Sequence, residues 1–157
     1  MNASERLNDP VQLPYVRPEQ LPIAARMLLF FSAAGLAGLL VVAGQLKPDS
    51  RGLGTHEQLG LPPCAIQAMM GIPCPSCGMT TSWSRLMRAD ISGSLNANPA
   101  GTTAALIAVV LGAGLFSSGW NGRWSRLVAA PRFWLAVVIG QGLVMMIFWI
   151  CKIAQWA

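Results

Sequence analysis

Residues 27–46 read MLLFFSAAGLAGLLVVAGQL and contain no charged side chain. An α-helix rises about 1.5 Å per residue, so a run of about 20 apolar residues crosses a hydrocarbon core of about 30 Å. Arg26 and Lys47 bracket the run, as basic residues do at the ends of membrane helices. A cleavable signal peptide is the competing interpretation, but the preceding polar stretch is longer and more acidic than signals usually have. The run therefore predicts a first transmembrane helix.

Two further apolar runs cover residues 100–118 and 133–151. Asn98 and Pro99 precede the second run and predict a helix start, with asparagine as the N-cap and proline in the first turn. Gln141 lies inside the third run, where an amide is expected to make a hydrogen bond between helices. The predicted fold is therefore an all-α membrane protein with three transmembrane helices.

Two segments outside the spans complete the predicted organisation. Residues 1–26 are polar and contain four prolines, which prevent a continuous helix and predict an extended N-terminal tail. Residues 27–157 then form a single membrane domain. Within it, residues 48–99 form a loop between the first two spans that contains three of the four cysteines.

The composition excludes several classes of protein. Hydrophobic residues make up 54% of the chain and charged residues only 11%, whereas a soluble domain usually carries about a quarter charged residues. The net charge of +5 comes without a basic run or an aromatic platform, so the chain is not expected to bind nucleic acid. No ionisable residue lies within a predicted span, which argues against an ion-coupled transporter. The expected partner is the lipid bilayer, and the sequence assigns no small-molecule substrate.

The distribution of Lys and Arg predicts an orientation. Six of these residues lie in the tail and the second connection, against five in the cysteine loop and the C-terminal end. The second connection carries Arg123, Arg126 and Arg132 and no acidic residue, whereas the loop also holds acids. We therefore expect a multi-pass protein of a cell inner membrane, with the tail inside and the cysteine loop on the periplasmic side.

The loop contains the chemically distinctive segment Cys74-Pro75-Ser76-Cys77-Gly78. Two residues between cysteines bring both sulfurs to one side of a tight turn, where they can share a metal ion. Tetrahedral zinc takes four ligands, so Cys64 is the natural third. The candidate fourth is His56, the sole histidine of the chain, with water or a partner protein as the alternative at that position. The sequence thus predicts a metal site, with zinc as the candidate cofactor.

Two other interpretations of the cysteines stay open. Cys74 and Cys77 could form a dithiol–disulfide pair that is resolved by Cys64, although no βαβ pattern of a thioredoxin-like unit surrounds them. Alternatively, the cysteines are packed and reduced, in a structural membrane subunit without chemistry. The sequence shows no nucleophile–base pair, phosphate loop or pair of carboxylates. It therefore favours a non-enzymatic protein that acts as an accessory to a membrane protein partner.

The loop is expected to contain one or two short helices. Two prolines before Cys64 and Gly71 after it can open and close a first helix. A second helix should begin near Cys77, with Thr80 and Thr81 helping to cap its first turn. Its apolar face would be formed by four residues at helical spacing. These residues are Met79, Trp83, Leu86 and Met87.

The loop resembles an uncharacterised bacterial family of small membrane proteins, catalogued as a domain of unknown function. The family's hallmark is a cysteine followed by Gly-x-x-Cys-Pro-x-Cys-Gly-x-Thr-Arg and then by Asn-Pro before the next span. The matching positions are Cys64, Gly71, Cys74, Pro75, Cys77, Gly78, Thr80, Asn98 and Pro99. Thr81 stands where the family often has arginine. The resemblance implies a membrane fold and important cysteines, and it implies no activity.

Overall fold

The computed structural model describes residues 20–126 and 128–156. It contains six α-helices and, before the second, a 3-10 helix at Thr55–Leu59, and no strand occurs in these residues. Residues 1–19 of the predicted tail lie outside the described residues. The α-helices are α1 (Ile23–Gln45), α2 (Ala65–Met70), α3 (Met79–Leu86), α4 (Ile91–Ala97), α5 (Pro99–Asn121) and α6 (Pro131–Trp156).

Three of the helices are long and apolar enough to cross a membrane, namely α1, α5 and α6. The predicted all-α membrane fold with three transmembrane helices is therefore confirmed. α1 begins at Ile23, earlier than the apolar run, because Pro22 is extended at φ −60° and ψ 152° and the helix can start directly after it. The predicted start of α5 is also confirmed, since Asn98 Oδ1 accepts a hydrogen bond from the Gly101 amide at 2.9 Å.

The antiparallel pair of α1 and α5 forms the centre of the bundle. Gly112 of α5 lies against Leu36 of α1, where a side chain on the glycine would come within 3.9 Å of leucine carbon atoms. At the end away from the cysteine loop, Arg26 Nε donates to the carbonyl oxygen of Gly119 at 2.8 Å. Arg26 thereby satisfies a carbonyl that the end of α5 leaves without a helical partner.

The third span packs beside α5 through a polar contact. Gln141 Nε2 donates to the carbonyl oxygen of Ala100, and Gln141 Oε1 accepts from Thr103 Oγ1 at 2.8 Å. The predicted hydrogen bond between helices is therefore confirmed. Closer to the C-terminal end of α6, Trp149 Nε1 donates to the carbonyl oxygen of Pro73 at 2.9 Å. α6 is thus attached both to α5 and to the loop that carries the cysteines.

The loop between α1 and α5 holds more helix than expected and packs with its polar side chains inside. On α3, the buried residues are Thr81, Ser82 and Ser84, whereas Met87, at the end of the expected apolar face, is 45% exposed. Thr81 does not cap α3; its hydroxyl lies 2.8 Å from that of Thr55. Small hydroxyl side chains let these short helices approach closely while their polar groups bond to one another, which explains the inverted packing.

Candidate metal centre

Three cysteines, separated by ten and three positions in the sequence, meet in the loop. Cys64 directly precedes α2, while Cys74 and Cys77 lie in the turn that leads from α2 into α3. Their three Sγ atoms all lie within 4.8 Å of one another. The Sγ atoms of Cys74 and Cys77 are 3.2 Å apart, and both residues are buried. The expectation that these residues form one cluster is therefore met.

The turn between Cys74 and Cys77 is built by backbone hydrogen bonds. The Cys77 amide donates to the Cys74 carbonyl oxygen at 3.0 Å, and the Cys74 amide donates to Cys77 Sγ at 3.3 Å. Amide donors of this kind stabilise a sulfur that carries negative charge. The turn therefore fixes the distance between the sulfurs, and its amide bond to Cys77 offsets only part of the cost of burying a thiolate there.

Gly78 ends the turn in a conformation that suits only glycine. Its φ is +86°, a left-handed value that other residues adopt at a cost. A Cβ at this position would lie 2.6 Å from the carbonyl oxygen of Ala97 and 2.7 Å from that of Gly52. Two backbone segments thus close over Gly78, and they hold the cysteine turn against the rest of the loop.

Asn98 attaches the same turn to the second span. Its side chain is fully buried, and its Nδ2 donates to the carbonyl oxygens of Cys77 at 3.1 Å and Pro75 at 3.3 Å. Its Oδ1 meanwhile caps α5 by accepting from the Gly101 amide. One amide side chain therefore fixes both the start of a transmembrane helix and the position of the cysteine turn.

The cysteines line an open cavity of about 350 Å³. His56 lines the same cavity, and its Nε2 lies 3.2 Å from the carbonyl oxygen of Pro62. The atoms that lie within 4.8 Å of one another are the three sulfurs and do not include a ring nitrogen of His56. Three of the four predicted ligands are thus brought together, and the fourth lies in the wall of the cavity that they share.

The cysteine thiols differ in acidity. The pKa of Cys64 is lowered to about 7, first because the backbone amide of Gln67 donates to its sulfur, and further through the neighbouring thiols. The pKa of Cys77 is raised to about 12, chiefly because burial disfavours its thiolate and also because it bonds to Cys74. Cys64 is the more exposed of the two, so the acidic thiol is also the accessible one.

Sequence reasoning missed two residues that support the site. Asn98 was expected only as a helix cap, yet an asparagine cap also carries two amide donors, and these reach the cysteine turn. Trp149 lies near the end of the third apolar run, and its indole N–H bonds to Pro73, the residue before Cys74. Both contacts span long sequence separations, so no local spacing indicates them.

The comparison with known families agrees with this site. Residues 64–112 match a family described as "Protein of unknown function (DUF2752)". The matched segment begins at Cys64 and continues into α5, so it contains the three clustered cysteines, Gly78 and Asn98. The expected resemblance to an uncharacterised family is therefore confirmed. No curated protein and no solved structure shows significant similarity to the chain.

Proposed function

We propose that this membrane protein binds a thiophilic metal ion in its loop, with Cys64, Cys74 and Cys77 as ligands and zinc as the leading candidate. The observation that carries the proposal is the approach of three Sγ atoms within 4.8 Å of one another. Zinc bound at about 2.3 Å by tetrahedral thiolates has sulfurs roughly 3.8 Å apart. The distances in the cluster, 3.2 Å between Cys74 and Cys77 and at most 4.8 Å for the other pairs, lie on either side of this value.

Metal binding would also resolve the unfavourable electrostatics of the cluster. Thiolates, not thiols, are metal ligands, and the raised pKa of Cys77 keeps that thiol protonated at neutral pH. A divalent cation between the sulfurs offsets the repulsion of the thiolates and the cost of burying them. Binding should therefore release protons and weaken as the pH falls.

His56 is the candidate for the fourth ligand. Its ring lines the cavity that the cysteines share, and turning toward the sulfurs would replace the hydrogen bond of Nε2 to Pro62. Alternatively, water or a group from a partner protein takes this position, as in zinc sites that keep one position open. Replacing His56 by alanine distinguishes the two, because only the first arrangement loses affinity for zinc.

Metal analysis of the detergent-purified protein tests the proposal. We expect about one zinc ion per chain, as a site with three protein thiolates holds a single ion. Cys64→Ser and Cys74→Ser should lose this metal. Cys151→Ser is the matched control, because Cys151 lies on the exposed surface of α6 and should leave the metal content unchanged. Full metal content in both cluster variants would contradict the proposal.

A thiol–disulfide function is the second candidate, favoured by the 3.2 Å separation of the Sγ atoms of Cys74 and Cys77. In such a reaction the two thiols form one disulfide, and two electrons and two protons pass to a disulfide of a partner protein, which leaves as two thiols. Thiol labelling with and without reductant tests this alternative. Cys74 and Cys77 that label fully before reduction in freshly lysed cells would contradict it.

The proposed cellular role is that of a non-enzymatic accessory to a membrane protein partner, in a bacterial inner membrane with the cysteine loop on the periplasmic side. The basic connection between α5 and α6, which contains Arg123 and Arg126, supports this orientation. Labelling of intact cells with a membrane-impermeant thiol reagent tests it. Cysteines of the loop that react only after lysis would place the loop on the other side.

A further inference from the structure

The cysteine loop has an apolar surface of unusual extent. Residues 58–84 contain no charged side chain, and Gln67 is the only amide side chain in residues 59–73. Met69 is 85% exposed and Met70 is 67% exposed. Further exposed large apolar side chains of the loop are Leu59, Leu61 and Ile66.

The interior of the loop, in contrast to its surface, is mostly polar. Apart from Pro73, its fully buried side chains are hydroxyls and one amide, and these bond to each other and to the backbone. A domain surrounded by water has the opposite arrangement, because burial of apolar area is its main stabilising term. Polar groups inside and apolar groups outside suit an environment of lipid. The buried polar side chains of the loop are Thr55, Thr81, Ser82, Ser84, Ser94 and Asn98.

α2 shows this inversion in a single helix. Ile66, Met69 and Met70 are exposed at i, i+3 and i+4, and so form one face. Gln67 lies on the other side, where it lines the cavity of the cysteines. Within the described residues, α2 packs against no other helix. The face that it turns outward is therefore not covered by another helix of the described chain.

The position of the loop relative to the third span fits contact with lipid. Trp149 of α6 bonds to Pro73, and α6 continues from there to Trp156, roughly 10 Å further at about 1.5 Å per residue. Ile147 and Ile150, on either side of Trp149, are 61% and 58% exposed on a helix that is apolar enough to span a membrane. The start of the cysteine turn, which follows α2 in the chain, therefore lies beside exposed apolar residues of α6.

We propose that residues 59–72, hereafter the apolar loop face, are inserted into the interfacial layer of the bilayer, with acyl chains covering Met69 and Met70. This segment lies within the uncharged residues 58–84, which Glu57 and Arg85 bracket as charged residues bracket a span. Cys64 lies within this segment, so molecules that reach the thiol cluster approach it at the membrane surface. The proposal does not depend on what the cysteines bind.

Depth-dependent fluorescence quenching tests this proposal on the full chain in nanodiscs. A fluorescent non-canonical amino acid, excited at wavelengths where tryptophan does not absorb, replaces Met69, whose high exposure makes a change tolerable. The quenchers are phospholipids brominated near the top of the acyl chain. The same label at Ile150 gives the signal of a lipid-facing span, and the label at Ser50, exposed in the charged part of the loop, gives the signal of water.

We expect the label at Met69 to lose as much emission as the label at Ile150, while the label at Ser50 keeps its emission. Emission at Met69 that matches Ser50 would overturn the proposal. The proposal is also wrong if the brominated lipid does not quench the label at Met69 and a photocrosslinker at the same position links two chains. In that case a second copy of the chain covers the apolar loop face. In the unsubstituted protein, a photoactivatable phospholipid should modify residues 65–72, and the absence of that modification contradicts the proposal without any variant.

Discussion

The side-chain amide of Asn98 donates a hydrogen bond to the carbonyl oxygen of Cys77 at 3.1 Å, across 21 positions of the chain. The same side chain caps α5 through its oxygen, which accepts from the Gly101 amide. Movement of the second span at its loop end would therefore shift the cysteine turn. The geometry of the thiol cluster is thus coupled to the packing of the membrane helices.

Asn98→Asp separates the two roles of this residue. Aspartate keeps an oxygen for the Gly101 amide but loses the donors to Cys77 and Pro75, and it places a carboxylate against their carbonyl oxygens. We expect a loss of roughly 1–3 kcal/mol in the free energy of unfolding and faster labelling of Cys77. Thermal unfolding in detergent and thiol labelling measure these effects. Asn121→Asp is the control: it removes a similar bond, from Asn121 Nδ2 to the Ser117 carbonyl oxygen, but at an exposed position far from the cysteines, so it should cost less and leave the labelling of Cys77 unchanged.

Gly78→Ala and Gly71→Ala form a matched pair. Both glycines have positive φ, at +86° and +70°, so alanine should cost about 1–2 kcal/mol at either position. A Cβ at Gly71 meets no atom within 4 Å, whereas one at Gly78 meets two backbone oxygens under 3 Å. Gly78→Ala should therefore cost about 1–3 kcal/mol more, with loss of bound metal. Equal melting temperatures for the two variants would contradict the tight closure over Gly78.

The acidity of Cys64 predicts a pH profile for the metal-free protein. Because its pKa is lowered to about 7, alkylation of Cys64 should rise with pH and reach half of its maximal rate near pH 7. Cys77, whose pKa is raised to about 12, should stay protonated and slow to react over the same range. Mass spectrometry of iodoacetamide adducts assigns the sites, and Cys64→Ser should remove the fast phase. A half-maximal rate for Cys64 near pH 9 would show that its thiol is unperturbed.

The three spans and the cysteine cluster could be predicted because local sequence carries their signal. The length of an uncharged apolar run shows whether its helix can cross the hydrocarbon core. The Cys-x-x-Cys spacing by itself places Cys74 and Cys77 in one turn. Cys64 is predicted as a ligand because it is close in sequence to Cys74. α2 reverses the direction of the chain, so the Cys64 sulfur meets the other two. In each case the relevant contact is short in sequence or follows from composition.

The packing of α3 and the support of the site could not be predicted in the same way. Periodicity identifies an apolar face on α3 but does not say whether that face meets protein or lipid, and here the polar face with Thr81 and Ser84 is buried. The bond from Asn98 to Cys77 depends on how two helices meet in space. The bond from Trp149 to Pro73 joins residues 76 positions apart.

Trp149→Phe tests whether the third span holds the cysteine turn in place. Phenylalanine keeps most of the ring volume but removes the indole N–H that donates to Pro73 at 2.9 Å, and Pro73 is fully buried next to Cys74. Loss of one such bond should cost about 1 kcal/mol in the free energy of unfolding. The lost bond also frees the turn, so Cys74 should label faster with a membrane-permeant maleimide.

Trp120→Phe is the matched control for this variant, because Trp120 is 69% exposed near the end of α5 away from the cysteine loop. It should leave the labelling rate of Cys74 unchanged, although its ring stacks on Phe116 and a small change in melting temperature is expected. If both tryptophan variants label Cys74 at the rate of the unsubstituted protein, α6 contacts the turn without positioning it. Faster labelling in Trp149→Phe alone would establish that α6 helps to fix the geometry of the thiols.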